Sequence, residues 1–204
     1  MKTVIEFDIE KATQALNYLA KREGGKIDKM KAIKLVWLAD RFHLRKYGRP
    51  ISNDNYLAME YGPVGSAIKD VADNSDFLSS EEIKYSAGYL KPDEQKHFIE
   101  SINEVDADVF SETDLEALDL VYTKYGKKHA LWLAKMSHYF PEWKKFEQEI
   151  LTNSISRGNM SYVDFFKNPE KDIPNENIFN EKKEELEESE KIFNENFLVA
   201  SFWK

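Results

Sequence analysis

The residues best suited to chemistry in this sequence are an aspartate and a histidine one helical turn apart. Asp40 and His43 lie three positions apart in the segment WLADRFHLRKYGRPI, a spacing that makes them neighbours on a helix surface. A carboxylate beside an imidazole suits general acid–base catalysis or part of a metal site. Such a pair is more often a local hydrogen bond, and a carboxylate on an apolar face needs a structural partner. The sequence offers Arg49 or the backbone of Gly62-Pro63 as that partner.

Other catalytic or metal-binding patterns are missing from the sequence. The remaining histidines, His97, His129 and His138, lack the paired spacing typical of helical metal sites, and His138 with Trp143 across Pro141 is more typical of a packing corner. There is no cysteine and no GxSxG motif, and Gly62-Pro63-Val64-Gly65 lacks the lysine and glycine spacing of a phosphate loop. We therefore predict no catalytic residues, no metal and no cofactor.

Asp40 and His43 must be positioned by a long, apolar helix. Asp28 suits its N-cap, Gly48 can adopt the left-handed conformation after Tyr47, and Pro50 cannot continue the helix. Apolar residues recur at helical spacing between these signals: Met30, Ile33, Leu35, Val36, Trp37, Leu38, Phe42 and Leu44. Such a helix is buried on more than one side. Six basic residues, typical of a solvated face, lie along its polar side: Lys29, Lys31, Lys34, Arg41, Arg45 and Lys46.

Periodicity and turn residues predict the other elements. These are a helix over 8–22, a helix from Pro63 to about 74, a strand over 82–90, a strand over 97–102, and helices over 111–125, 127–139 and from Pro141. The second strand is ambiguous, because Phe98, Ile99 and Ile102 fit a helix as well. Residues 152–177 are typical of a loop around a brief segment at Tyr162–Phe166.

Charge is concentrated near the end of the sequence. The 204 residues include 37 acidic and 29 basic side chains, a net charge of -8, and residues 176–195 hold eight glutamates and three lysines. An acidic balance argues against nucleic acid as the main ligand and is compatible with a basic protein partner. Phe179, Leu186 and Phe193 lie seven apart in this region. Such a stripe docks on the domain, pairs with another chain, or does not fold alone.

The resulting fold class is mainly α (α+β): a compact helical domain with a small antiparallel β element and an acidic C-terminal helical extension. We see no signal peptide and no apolar stretch of about 20 residues that would span a membrane. The absence of cysteine fits a reducing compartment. The sequence therefore predicts a cytoplasmic protein without a membrane partner, and it assigns no oligomeric state.

Three segments in order carry a family resemblance. They are Lys34-Leu35 followed by WLADRFHLRKYGRPI, then YLAMEYGPV from Tyr56, and LAKMSHYFPEW from Leu133 to Trp143. With these segments the chain resembles the Panacea domain family, also described as SocA-like antitoxins, over roughly residues 9–150. We place the domain at residues 1–165 and the acidic extension at residues 166–204.

The resemblance implies a protein-binding antitoxin, not an enzyme, whose cognate toxin is encoded nearby, as in prophage-associated toxin–antitoxin systems. It implies no catalytic residues. Twelve positions match the family's pattern and are predicted to bind the partner or to build the fold: Asp40, His43, Tyr47, Gly48, Arg49, Pro50, Tyr61, Gly62, Pro63, Val64, His138 and Trp143. Two alternatives stay open. One is an adaptor that presents a bound protein to a protease, suggested by the apolar end FLVASFWK, and the other is a hydrolase or nuclease using Asp40 and His43.

Overall fold

Helices and short strands alternate in the computed structural model, which describes residues 6–170, 178–179 and 181–202. The helices within these residues are α1 (Ile9–Arg22), α2 (Lys29–Tyr47), α3 (Ser66–Asp73), α4 (Ser80–Ser86), α5 (Glu112–Tyr125), α6 (Ala130–Ser137), α7 (Pro141–Lys144), α8 (Glu147–Leu151), α9 (Tyr162–Phe165) and α10 (Lys183–Phe202), with a 3-10 turn at Ala107–Val109. The strands are β1 (Lys26–Asp28), β2 (Tyr56–Met59), β3 (Gly62–Gly65), β4 (Leu90–Pro92), β5 (Phe98–Ser101) and β6 (Gly158–Asn159). The fold is mainly helical with small antiparallel sheets, which confirms the predicted class.

Helix α2 is the centre of the molecule. The Asp28 side chain accepts the Lys31 amide at its start, and Gly48 ends it with a φ of 69°, as predicted. Fifteen of its 19 residues are buried, because α1, α5, α6, α10 and β3 all pack against it. The long buried helix is therefore the element on which the rest of the fold is assembled.

The prediction of a solvated basic face on α2 is wrong. Lys34, Arg41 and Arg45 are fully buried and Lys31 is nearly so. Segments from later in the chain cover this face and supply partners for the cations. Arg41 Nε lies 2.8 Å from Glu142 Oε1, and Arg45 Nη2 lies 2.8 Å from Glu181 Oε2. The polar side of α2 is thus internal from Lys31 to Arg45, whereas Lys46 at the end of the helix is exposed.

Two three-stranded antiparallel sheets flank the helices. The first has the order β1-β5-β4, with Ile27 opposite Ile99 and Lys91 opposite Glu100. Strand β5 confirms the ambiguous strand predicted over 97–102. The second sheet has the order β3-β2-β6, so that β2 lies between a hairpin partner and a strand 100 residues later in the chain.

The strand predicted over 82–90 is wrong for most of its length. Residues Ser80–Ser86 form helix α4, and only Leu90 begins a strand. The Ser79 hydroxyl accepts the Glu82 amide while the Glu82 carboxylate accepts the Ser79 amide, a capping box that starts a helix. This local signal outweighs the alternating pattern of apolar residues that follows it.

The helix predicted to open at Pro63 starts three residues later. Gly62–Gly65 forms β3, in which Pro63 lies opposite Ala58, and α3 begins at Ser66. Strand β3 is at the sheet edge, where the missing amide of proline costs no ladder hydrogen bond. Gly62-Pro63 is therefore part of a hairpin.

Most of the remaining helices were correctly located. Helix α1 matches the prediction, and α5 starts with the predicted capping box of Ser111 and Asp114. The helix predicted over 127–139 is shorter, and the helix predicted from Pro141 is divided into α7 and α8. The brief segment at Tyr162–Phe166 is helix α9, and a short strand, β6, lies in the predicted loop. The rest of that loop at 171–177 lies outside the described residues.

The acidic C-terminal helix docks on the domain. Phe179, Leu186 and Phe193 are buried, and α10 packs against α2. Of the three interpretations of this stripe, docking is the one observed. The apolar end is helical as far as Phe202, so it is not a strand packed on the domain, and its last two residues lie outside the described part of the chain.

Candidate partner-binding surface

Asp40 is held inside the domain by hydrogen bonds from one loop and the strand after it. Its Oδ1 accepts the amides of Ile51 and Ser52 at 2.9 and 3.2 Å, and its Oδ2 accepts the hydroxyls of Ser52 and Tyr56 at 2.6 and 2.8 Å. Burial raises the pKa of Asp40, and these hydrogen bonds act in the opposite direction. The expected partners, Arg49 and the Gly62-Pro63 backbone, are not the ones observed. The carboxylate ties α2 to the chain leading into β2.

His43 does not pair with Asp40. Its Nδ1 lies 2.7 Å from the Arg49 carbonyl oxygen, and its Nε2 lies 2.9 Å from Thr113 Oγ1 and 3.2 Å from Asp114 Oδ1. Since a carbonyl can only accept, Nδ1 carries the hydrogen and Nε2 accepts from the threonine. Burial lowers the pKa of His43 to about 4, so the ring is neutral at pH 7. The predicted local hydrogen bond and the ligand pair are both wrong, because each partner turns toward a different neighbour.

Asp114 joins this end of α2 to α1 and α5. Its carboxylate lies 2.8 Å from both Lys11 Nζ and an Arg49 guanidinium nitrogen. Burial opposes ionisation, but the hydrogen bond from Lys11 and the charge of Arg49 prevail and lower the pKa of Asp114. On the surface beside it, the Tyr47 hydroxyl donates to Glu116. The sequence marked Asp114 only as a capping residue, because its two cations come from distant positions.

Gly48 is the contact point for α10. A methyl group added at Gly48 would lie 2.8 Å from Ile192 Cβ and 2.8 Å from the Ser189 carbonyl oxygen, well inside van der Waals contact. Glycine at this position therefore serves two purposes. It adopts the left-handed conformation that ends α2, and it lets α10 cross directly over that end.

The second group of motif residues forms a hairpin backed by two aromatic rings. The Trp143 indole donates to the Met59 carbonyl at 2.8 Å, and the His138 ring stacks on Trp143 with centroids 3.7 Å apart. This confirms the packing corner inferred from the sequence for His138 and Trp143. A methyl group at Gly62 would overlap Ser137 Oγ, so the hairpin lies tightly against the end of α6.

Lys34 connects α2 to the same hairpin. Its ammonium group donates to the Pro63 carbonyl oxygen at 2.5 Å, and burial lowers its pKa to about 7. Burial lowers the pKa of His138, and the nearby charge of Lys34 lowers it further. The His138 ring also forms a hydrogen bond with the Glu60 backbone. The hairpin is thereby fixed from behind by side chains of α2, α6 and α7.

The twelve predicted motif positions differ in how far their residues are exposed to solvent. Tyr61, at the hairpin tip, is 53% exposed. Tyr47, Arg49, Val64 and His138 are half-buried. The other seven are buried: Asp40, His43, Gly48, Pro50, Gly62, Pro63 and Trp143. The structure thus gives most of the set a place in the interior, and their role in partner binding stays a prediction.

An open groove of about 960 Å³ lies beside the hairpin. His138 lines it, and the His138 ring bonds the Glu60 backbone at the hairpin tip. The groove is lined by Lys135, His138, Tyr139, Pro141, Lys144, Lys145, Glu147, Asp164, Lys167 and Glu170. Among these lining residues, Asp164 accepts hydrogen bonds from Lys145 and Lys167. An exposed tyrosine on a fixed hairpin beside a groove with mixed charges has the character of a protein-contact surface.

Asp54 is a structural residue that the sequence analysis missed. It is buried, and its carboxylate accepts the amides of Ala67 and Ile68 at 3.0 and 2.7 Å, which caps α3 from a distance. Burial raises the pKa of Asp54 to about 7. The signal available in the sequence was negative: neither Gly65 nor an adjacent residue caps α3 with its side chain.

Among the described residues, no group of three or more His, Cys, Asp or Glu side chains is placed to hold a metal ion. No helix in that part of the chain is both long enough and apolar enough to cross a membrane.

A comparison with protein families identifies the family of this chain. The model of the family described as antitoxin SocA-like, Panacea domain, matches residues 33–144, more than half of the chain. The chain belongs to the SocA-like Panacea family. This confirms the resemblance, and all twelve Panacea motif positions lie within the matched residues. Helix α10 lies outside the match. Comparisons with curated proteins and with solved structures give no match.

The Panacea match supports an antitoxin role and favours a protein that is not an enzyme. The geometry of the motif agrees, because Asp40 and His43 are both buried and bonded to structural partners.

Proposed function

We propose that this Panacea protein is an antitoxin that neutralises a toxin, encoded nearby, by direct binding. The observation that carries the proposal is the family match over residues 33–144. As the sequence analysis predicted, the main ligand is a protein, and the site of action is the cytoplasm.

The surface we assign to this binding is the tip of the β2–β3 hairpin with the groove beside it. Tyr61 and Tyr139 are the exposed aromatic residues there, and tyrosine is a frequent anchor at the centre of protein interfaces. The hydrogen bond from Trp143 to Met59 and the close contact of Gly62 with Ser137 hold the hairpin in one position. A preformed hairpin loses little conformational entropy on binding.

The proposal is tested by co-expression of the adjacent open reading frame, alone and with this chain. We expect the neighbour to inhibit growth alone, and this chain to restore growth and to co-purify with it. Replacing Tyr61 and Tyr139 together by alanine should weaken binding at least about tenfold. Phe98, an exposed aromatic residue on the other sheet, gives a matched Phe98→Ala control. A neighbour that neither inhibits growth nor co-purifies would overturn the proposal.

The adaptor alternative is favoured by one observation, the exposure of Leu198, Val199 and Phe202 at the end of α10. An adaptor would shorten the lifetime of the bound toxin. Neutralisation by binding leaves the toxin intact, so toxin abundance after translation is stopped separates the two mechanisms.

The hydrolase or nuclease alternative requires Asp40 and His43 to act together. Each is fully buried, and the two side chains share no hydrogen-bond partner. Growth rescue by a folded His43→Gln variant is the expected outcome, since no chemical step depends on the ring. Metal analysis of the purified protein tests the same alternative independently.

A further inference from the structure

Helix α10 has two apolar faces, and among the described residues only one of them packs against the domain. Leu186 and Phe193 are buried against the domain. Leu198, Val199 and Phe202 are exposed, and Phe202 is 84% exposed. Since a helix turns about 100° per residue, Phe202 lies on the side opposite Phe193. The end of α10 therefore presents an apolar surface away from the domain.

The same helix is strongly acidic. Residues 183–202 contain six glutamates and two lysines. The lysines already form i, i+4 ion pairs, with Lys183 3.5 Å from Glu187 and Lys191 3.9 Å from Glu195. Glu184, Glu185 and Glu188 are exposed and have no ion pair within the part of the chain that the structure describes. The apolar end is thus preceded by uncompensated negative charge.

The domain holds this helix in a fixed position. The buried Arg45 guanidinium binds Glu181, just before α10, and the Phe193 ring packs on Tyr162 and Phe166 with centroids 5.8 and 5.9 Å away. Ser189 and Ile192 lie over Gly48. Because α10 is anchored along its inner side, its outer face is presented in a preformed helical conformation.

We infer that the outer face of α10, formed by Leu198, Val199, Phe202 and the exposed glutamates, is a second docking surface for the toxin, one that fits an apolar groove with a basic rim. This rests on the proposed antitoxin function. Recognition of a helix by a groove uses apolar anchors one turn apart, and Leu198 and Phe202 have that spacing. The negative charge of the outer face determines which partner fits, because complementary potentials favour a groove with a basic rim.

Charge also argues against other occupants. A second copy of this chain would bring one set of glutamates against another, and nucleic acid or an anionic membrane would be repelled in the same way. A basic protein surface is the occupant that satisfies both the apolar and the acidic parts of the face.

The experiment uses the full chain and a matched pair of variants. Leu198→Ala/Phe202→Ala removes the outer-face anchors, and Leu131→Ala/Phe77→Ala removes a leucine and a phenylalanine of similar exposure elsewhere, since Leu131 is 60% and Phe77 90% exposed. The first probe is a synthetic amphipathic peptide of leucine and lysine. We expect it to bind the wild type and the control equally, to bind the outer-face variant about tenfold more weakly, and to lose affinity as salt is added.

The second probe is the product of the adjacent open reading frame. A complex that forms equally well with the wild type and the outer-face variant overturns this inference while the antitoxin function stands. A neighbour that binds no form overturns the antitoxin function and with it this inference. A peptide that binds the outer-face variant as well as the wild type, or does not bind the wild type, overturns the inference too. So does a wild-type dimer that the outer-face variant loses.

Discussion

Lys34 is the residue at which charge and burial conflict most directly. Its ammonium group donates to the Pro63 carbonyl oxygen, and burial lowers its pKa from 10.5 to about 7. Between those pH values the unfolded chain binds the proton and the folded chain has largely released it. The free energy of unfolding therefore rises as the pH is raised from 7 toward 10.5, and the contribution of Lys34 is constant below about 7.

Replacing Lys34 by methionine should remove that pH dependence. We expect urea denaturation of the wild type to give a free energy of unfolding that increases between pH 7 and 9, by up to about 1.4 kcal/mol per pH unit. Lys34→Met should show a flatter profile. The exposed Lys135 gives the control, Lys135→Met, which should keep the wild-type slope. Equal slopes in wild type and Lys34→Met would show that Lys34 titrates normally.

Asp40 makes a different prediction, because all its partners donate. An asparagine can keep its oxygen toward the Ile51 and Ser52 amides only by placing its NH₂ group where Oδ2 now accepts the Ser52 and Tyr56 hydroxyls, which must then turn to accept or lose their bonds. We expect Asp40→Asn to lower the free energy of unfolding by about 2–3 kcal/mol, measured by urea denaturation at pH 7. An unchanged midpoint would mean that these hydrogen bonds contribute no net stability.

The sequence identified several special residues but not their partners. Asp40 stood out because a carboxylate interrupts an apolar helix face, and the requirement for a partner was correct. Ser52 and Tyr56 could not be named, since many nearby groups can donate and periodicity does not rank them. His138 and Trp143 were easier, because a proline between them restricts how the two rings can meet.

At the scale of elements, capping residues and glycines in the sequence predicted where helices begin and end, because neighbouring residues determine those boundaries. The Asp28 cap and Gly48 set the two ends of α2 as expected. Alternating Ile83, Tyr85, Ala87 and Tyr89 suggested a strand, yet the Ser79 capping box started a helix there. The burial of Arg41 and Arg45 was not predictable in this way, because the groups that cover them lie about 100 residues or more later in the chain.

The crossing of α10 over Gly48 can be tested on its own. Gly48→Ala places a methyl group against Ile192 and Ser189 in a left-handed conformation that costs alanine roughly 1–2 kcal/mol. We expect amide hydrogen exchange to accelerate in α10 more than in α1, since the clash is released by lifting α10. Equal acceleration in the two helices would indicate that the substitution destabilises the whole domain instead.

At the scale of the molecule, the contacts of α2 predict cooperative unfolding. Trp37 is buried within α2, Trp143 is buried in α7, and α10 packs on α2. We expect tryptophan fluorescence and far-UV circular dichroism to report one urea midpoint, as in a two-state transition. An earlier loss of helix signal, with fluorescence unchanged, would instead support an independently unfolding extension. The boundary at residue 165 stays a prediction that this comparison tests.

The closed environment of α2 also has a consequence for synthesis on the ribosome. Helix α2 is made early, but Arg41 meets Glu142 only after about 100 further residues, and Arg45 meets Glu181 later still. At roughly 5–20 residues per second, bacterial or eukaryotic translation leaves that interval open for several seconds or longer. During this time the nascent chain carries unpaired cations on its central helix. The amount of finished protein in a cell thus depends on how well that incomplete chain survives chaperones and proteases.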